Sequence, residues 1–197
     1  MPNTNAPFGF LHIGNNSGGA PTFQQSIRKI AANNATAIFY GDAVVPVTGS
    51  ATGYITRATA STVALAGVFV GCKYYSTSQQ KVINSRYWPG SDATGDVTAY
   101  VVDDPNARFV VQADATGIPF SKVGQNAQLI AGAGNTLSGF SGMTLNSTTA
   151  TTATFPFIIV DLVTDPPGQN GTDATSGYNQ VIVQFNNEIF RQLTGIS

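Results

Sequence analysis

The sequence predicts an all-β protein: a jelly-roll-like β-sandwich with an extended N-terminal arm and a short C-terminal tail. Three observations predict it. Good helix formers are scarce, with one Glu, four Lys and seven Leu in 197 residues. Residues that suit a pleated, half-buried surface are abundant, among them twelve Phe and seven Tyr beside many Thr and Val. The apolar runs are short, and 21 Gly, 10 Pro and 15 Asn supply turns between them. Those turns recur every 8–12 residues or so, the spacing of a sandwich or barrel.

The elements follow in order. Residues 1–35 hold "NNSGGAP" and scattered aromatics without sustained alternation. They read as an extended arm, with one short helix near Gln24–Ala32. Residues 36–187 read as the sandwich and 188–197 as the tail. "TAIFYGDAVVPV" bends at Gly41-Asp42, and "GYITRAT" follows. The stretch "TRATASTVALAGVFVGC", from Thr56 to Cys72, carries a single charge, Arg57. Its Val residues and interrupting Gly67 and Gly71 favour strand over helix, and its lack of polar alternation predicts a strand covered on both faces. Further strands are read in "KYYST", "KVINSRYW", "DVTAYVV", "ARFVVQAD", "AQLIAG", "ATFPFIIVDLV" and "QVIVQF". In the last, Val181, Val183 and Phe185 share one face. The Gly/Ser/Thr-rich segment 132–154 reads as a long loop or hairpin that packs through Phe140, Met143 and Leu145. Residues 163–179 read as a surface loop.

Charge excludes several functions. Only 10% of residues are charged and the net charge is −1, so no basic stripe exists to release counterions from a nucleic acid. No basic amphipathic helix suits a membrane surface, and the apolar runs fall short of the ~18 residues of a membrane helix. The N-terminus lacks a charged start followed by an apolar run, so no secretory signal is read there. The lone Cys72 forbids an intrachain disulfide and reads as a small buried hydrophobe.

No catalytic constellation emerges. His12 lies in the arm, a poor place for a triad base. Asp103-Asp104-Pro105 reads as turn chemistry, since adjacent side chains on an extended chain point opposite ways. Asp165–Asp173 offers oxygens for Ca²⁺ but lacks the twelve-residue loop pattern. "GAGNTLSG" lacks the lysine and following helix of a phosphate loop. Tyr87-Trp88 could stack on a sugar, though such a pair beside Pro-Gly reads first as a packed strand end. The expectation is therefore no enzyme, no cofactor and no metal. A chain this poor in charge has little self-repulsion, which favours permanent assembly.

The segments "NAPFGF", "ATAIFYGDAVV", "GYITRATASTVALAGVFVG", "YVVDDPNARFVVQ", the 132–154 loop and "FNNEIFRQLTGI" together resemble the trimeric cement, or capsid-decoration, proteins of short-tailed cyanophages. The resemblance implies a β-sandwich, a homotrimer and a seat on the outer surface of an icosahedral capsid, against the major capsid protein of the virion. It transfers no active-site residues. Phe8, Phe10 and Ile13 in the arm, and Ile189, Phe190 and Ile196 in the tail, are the candidate contacts between chains or to the shell. The alternative, of another class, is a carbohydrate- or receptor-binding module of a tail fibre, with a host-surface glycan as partner. A polysaccharide hydrolase is the weakest reading, because a chain with one Glu offers few carboxylate pairs.

Overall fold

The computed structural model describes residues 3–16, 24–49, 53–164, 174 and 176–189. Their regular structure is twelve strands and one 3₁₀ turn, Phe120–Lys122. The strands are β1 (Leu11–Asn15), β2 (Ser26–Ile30), β3 (Ala43–Pro46), β4 (Ile55–Arg57), β5 (Gly67–Ser76), β6 (Lys81–Ser85), β7 (Val97–Val102), β8 (Ala107–Gln112), β9 (Asn126–Ile130), β10 (Thr144–Ala150), β11 (Phe157–Leu162) and β12 (Gln180–Phe185). Two antiparallel sheets pack against each other, as the predicted all-β sandwich requires. The first has the order β1-β8-β12-β11-β9-β10. The second has the order β2-β7-β5-β3-β4, with β6 paired to the far half of β5.

The stretch around Gly67 is the central strand the sequence predicts. The ten-residue β5 pairs with β7 along one side, and with β3 and then β6 along the other. Its two faces enter two different cores. Val68, with Ala43 and Val102, joins the core between the sheets. Phe69, Cys72 and Tyr74 join a second core with Val44, Ala99, Val101 and Trp88. That second core lies inside the curl of the second sheet, where a bridge between Lys29 and Tyr54 brings β2 towards β4. A sheet buried on both faces reads as a continuous apolar run.

A chain of rings lines the core between the sheets. Phe10 stacks on Phe157 at 4.3 Å, Phe157 on Phe185 at 5.8 Å, and Phe185 meets Phe109 edge-on at 5.0 Å. Val181, Val183 and Phe185 are buried on one face of β12 while Gln180 and Gln184 stay half exposed, the predicted alternation. Met143 and Leu145 are buried, so the 132–154 segment does pack, and it contributes β10.

The arm departs from expectation. Its residues 11–15 form β1, paired to β8, and residues 26–30 form β2, paired to β7 from Ser26↔Val101 to Ile30↔Val97. The helix expected near Gln24–Ala32 is therefore a strand. A five-residue run is too short to show a period by itself, and pairing with a neighbour decides it. Upstream, the chain is tied to its own sandwich. The Gln112 side chain, nearly buried, donates to the Thr4 carbonyl (2.9 Å) and accepts from Ala6 N–H (3.1 Å). Asn3 donates to Ser176 Oγ and the Gly177 carbonyl, each at 3.1 Å.

Truncating the fully buried Phe10 removes one end of the ring chain. Phe10→Ala is expected to cost about 3–5 kcal/mol, a fall in Tm on the order of 10 °C for a chain of this size. Deleting residues 2–13 should lower Tm at least as far. Calorimetry on both variants checks this.

Candidate functional site

The turn Phe39–Asp42 carries an ion-paired cluster inside the fold. Asp42 is fully buried. Its carboxylate accepts from Phe39 N–H at 2.7 Å, Arg57 Nε at 2.8 Å, Arg57 Nη2 at 3.1 Å and Ser141 Oγ at 2.6 Å. Arg57 also donates to the Gly132 carbonyl. Burial pushes the Asp42 carboxyl above its ordinary value of 3.8, and the Arg57 guanidinium holds it down against that push. The Asp42 carboxylate is thus enclosed by protein donors, so the cluster joins segments rather than presenting a carboxylate to a substrate. The charge that stood alone in the Thr56–Cys72 stretch is thus a structural ion pair.

The remaining chemical candidates resolve the same way. His12 is buried, with its Nε2 near the Gly14 carbonyl (3.1 Å) and Asn15 Oδ1 (3.3 Å) and its ring against Phe109. Asp103 accepts from Arg28 at 2.6 Å and Ser26 at 2.8 Å. Asp104 accepts from Asn106 N–H at 2.8 Å and Asn15 at 3.1 Å, a turn as expected. Cys72 is buried, and burial pushes its thiol up to about 12. Trp88 is fully buried, donates its indole N–H to the Asn34 carbonyl at 3.1 Å and meets Tyr74 edge-on, while Tyr87 stacks on Phe39. Tyr87-Trp88 is therefore the packed strand end that the sequence reads first, not a sugar platform. The segment Asp165–Asp173 lies outside the described residues. Among the described residues no three His, Cys, Asp or Glu side chains group as metal ligands would.

The candidate contact residues are scattered. Phe10 is corrected: it lies fully in its own core, facing no partner surface. Phe8 is half-buried. Ile13 is 39% exposed and Leu11 38%, on the face of β1 opposite the inward His12. Beside Leu11, the register continues through Val110 to Ile182, an apolar row across three strands. Ile189 is half-buried against the second core and lines an apolar groove with Val45, Val47 and Ala64. Phe190 and Ile196 lie outside the described residues.

Two surface features were not foreseen. Leu137 is 98% exposed at the tip of the loop that leads from β9 to β10. A shallow cleft of about 310 Å³ opens where the curled sheet meets that loop, lined by Tyr40, Gly71, Asn84, Arg86 and Tyr100 among others. Its residues come from four separate segments, so no local motif announces it.

No family model, curated protein or solved structure matches the chain.

Two predictions follow from these carboxylates. Asp42→Asn leaves the Arg57 guanidinium, largely buried, without its counter-charge, which should cost about 3–5 kcal/mol, read by denaturant unfolding. Asp92 behaves oppositely in pH. Hydrogen bonds from Ser76, then Ser78 N–H, with Thr77 adding to them, lower its pKa from 3.8 to about 2. A carboxyl with a lowered folded value supplies stability above pH 3.8 that is lost as pH falls towards 2. Asp92→Asn should therefore flatten the fall of Tm across that window. Asp42, with its raised value, contributes stability that is fully present below pH 3.8 and is lost as pH rises through its folded value, so its window lies above that of Asp92.

Proposed function

We propose that this chain is a structural virion protein: a capsid-decoration protein that binds the outer surface of an icosahedral shell as a homotrimer and ties neighbouring coat subunits together. Two lines of support precede any single contact. The segments quoted from the sequence resemble cement proteins of short-tailed cyanophages. The low charge leaves little repulsion between copies.

The observation that carries a binding role is the presentation of Leu137. An almost fully exposed leucine on a slack loop would mean little. This loop is stiff. Asn135 Oδ1 accepts from Leu137 N–H at 2.9 Å and from Ser138 N–H at 3.2 Å. Gly139 N–H donates to the Asn135 carbonyl at 2.8 Å, and Asn135 N–H to the Phe140 carbonyl at 2.9 Å. Phe140 then packs edge-on against Tyr40. Little conformational freedom remains to be lost when the side chain docks. Burying it on a partner contributes about 1.5–3 kcal/mol. In a trimer the contact occurs three times, and the linked contacts hold far more tightly than one alone.

Cosedimentation with undecorated capsids tests the reading. Wild-type protein should pellet with the shells, and Leu137→Ser should bind at least tenfold more weakly with an unchanged Tm. Light scattering should give the trimer mass at micromolar concentration. Failure of wild-type protein to pellet, or a monomer mass, would overturn the proposal.

A further inference from the structure

We infer that the cleft between Tyr40 and Tyr100 is a saccharide-binding site, selective for sugars that carry a carboxylate. The inference stands apart from shell binding and needs none of its contacts.

The floor is made by an irregularity in β5. Its register against β7 shifts between Phe69 and Gly71, and Gly71 lies opposite Tyr100 with φ +147°. A side chain there would be strained, and its Cβ would stand 3.2 Å from the Ser85 carbonyl. Glycine therefore leaves the middle of the sheet open. Tyr100 on β7 and Tyr40 beside the buried turn flank that opening. The C–H face of a pyranose packs on such rings, and their hydroxyls remain for its hydroxyl groups.

Arg86 supplies the charge selectivity. Its guanidinium stands 5.0 Å from the Phe140 ring centre and 5.8 Å from that of Tyr40. The two rings fix its plane without neutralising it. Arg28 and Arg57 are paired with aspartates. Arg86 has no ion pair or hydrogen bond among the described residues, and the side chains of Asn84, Tyr40 and Tyr100 likewise have no hydrogen bond there. Lys73, cross-strand from Asn84, adds a second cation without an ion pair among the described residues. No carboxylate lines the cleft. A rigid, unpaired guanidinium fits a carboxylate through two parallel hydrogen bonds. The cleft is shallow and at the small end of ligand sites, which suits one or two sugar rings and weak binding.

The test titrates the whole chain with tri-galacturonate, followed by amide chemical shifts in NMR. The fully methyl-esterified trimer has nearly the same shape without the charge, and tri-glutamate has the charge without the rings. Shifts at Gly71, Asn84 and Tyr100, with tri-galacturonate at least tenfold tighter than either comparison, are expected. Arg86→Ala and Tyr100→Ala should each weaken binding about tenfold or more, equivalent to about 1.4 kcal/mol. Arg86→Ala alters an exposed side chain and should keep its Tm. Tyr100→Phe guards against a packing defect: it keeps the ring and should retain most of the affinity. Absence of shifts at millimolar sugar, equal binding of tri-glutamate, or full affinity in Arg86→Ala would overturn the inference. Loss of capsid cosedimentation with sugar binding intact would sink only the shell proposal.

Discussion

A buried carboxylate organises the fold. Asp42 has no contact with solvent, and an ionised group so placed persists only if its hydrogen bonds are supplied from all sides. The donors come from its own turn, from β4 and from the loop before β10. The same turn fixes the neighbouring strands through its backbone. Gly41 accepts from Phe10 N–H and donates to the Phe69 carbonyl, each at 2.8 Å, and Phe69 N–H donates to the Asp42 carbonyl at 2.8 Å. The close approach leaves no room for side chains: a Cβ on Gly9 would lie 2.5 Å from Ser141 Cβ and 2.6 Å from the Gly41 oxygen. One short turn thus sets where Phe10 enters the core, where β5 begins and where the 132–142 loop sits. Replacing such an ion pair by apolar groups is often neutral in stability. Here it draws together three segments: its own turn, β4 and the loop before β10.

The curl of the second sheet follows from the same geometry. Because β5 is longer than the strands beside it, β3 covers one end and β6 the other. The near half lies against the first sheet through Val68. The far half extends past it, and there the register shift at Gly71 opens the floor of the cleft. The loop pinned by Asp42 supplies Phe140 to the far wall, which in turn positions Arg86. The interior constraint and the surface feature are thereby linked through a continuous set of contacts.

Much of the fold was legible. The central strand was marked by valines and glycines without polar alternation, β12 by its period of two, and the 132–154 segment by three apolar residues in a polar stretch. The arm was misread because its strands are five residues each and lie at sheet edges, where one partner suffices and the pattern is weak. Phe10 was assigned to a partner because no local core was visible for it. Its core is Phe157, far along the chain, and only the tertiary fold brings them together. The cleft was invisible for the same reason. Tyr87-Trp88 drew notice as adjacent aromatics, whereas Tyr40 and Tyr100 are sixty residues apart in sequence and share a wall only after the strands pair.

The distribution of charge gives the surface its character. Among the described residues every aspartate carboxylate accepts a hydrogen bond from the protein itself: Asp42, Asp92, Asp96, Asp103, Asp104, Asp114 and Asp161. The cations are less fully engaged. Arg28, Lys29 and Arg57 are paired, while Lys73 and Arg86 stand on the same face of the curled sheet without such partners. A protein with net charge −1 can therefore present a locally positive face, since its described aspartates are already committed to hydrogen bonds and ion pairs. An anionic ligand meets little opposing field there and need not displace an existing ion pair to reach the guanidinium. A neutral ligand would gain only the rings. Selectivity for a charged sugar over its ester therefore follows from the arrangement of a few side chains, in a chain whose overall charge points the other way.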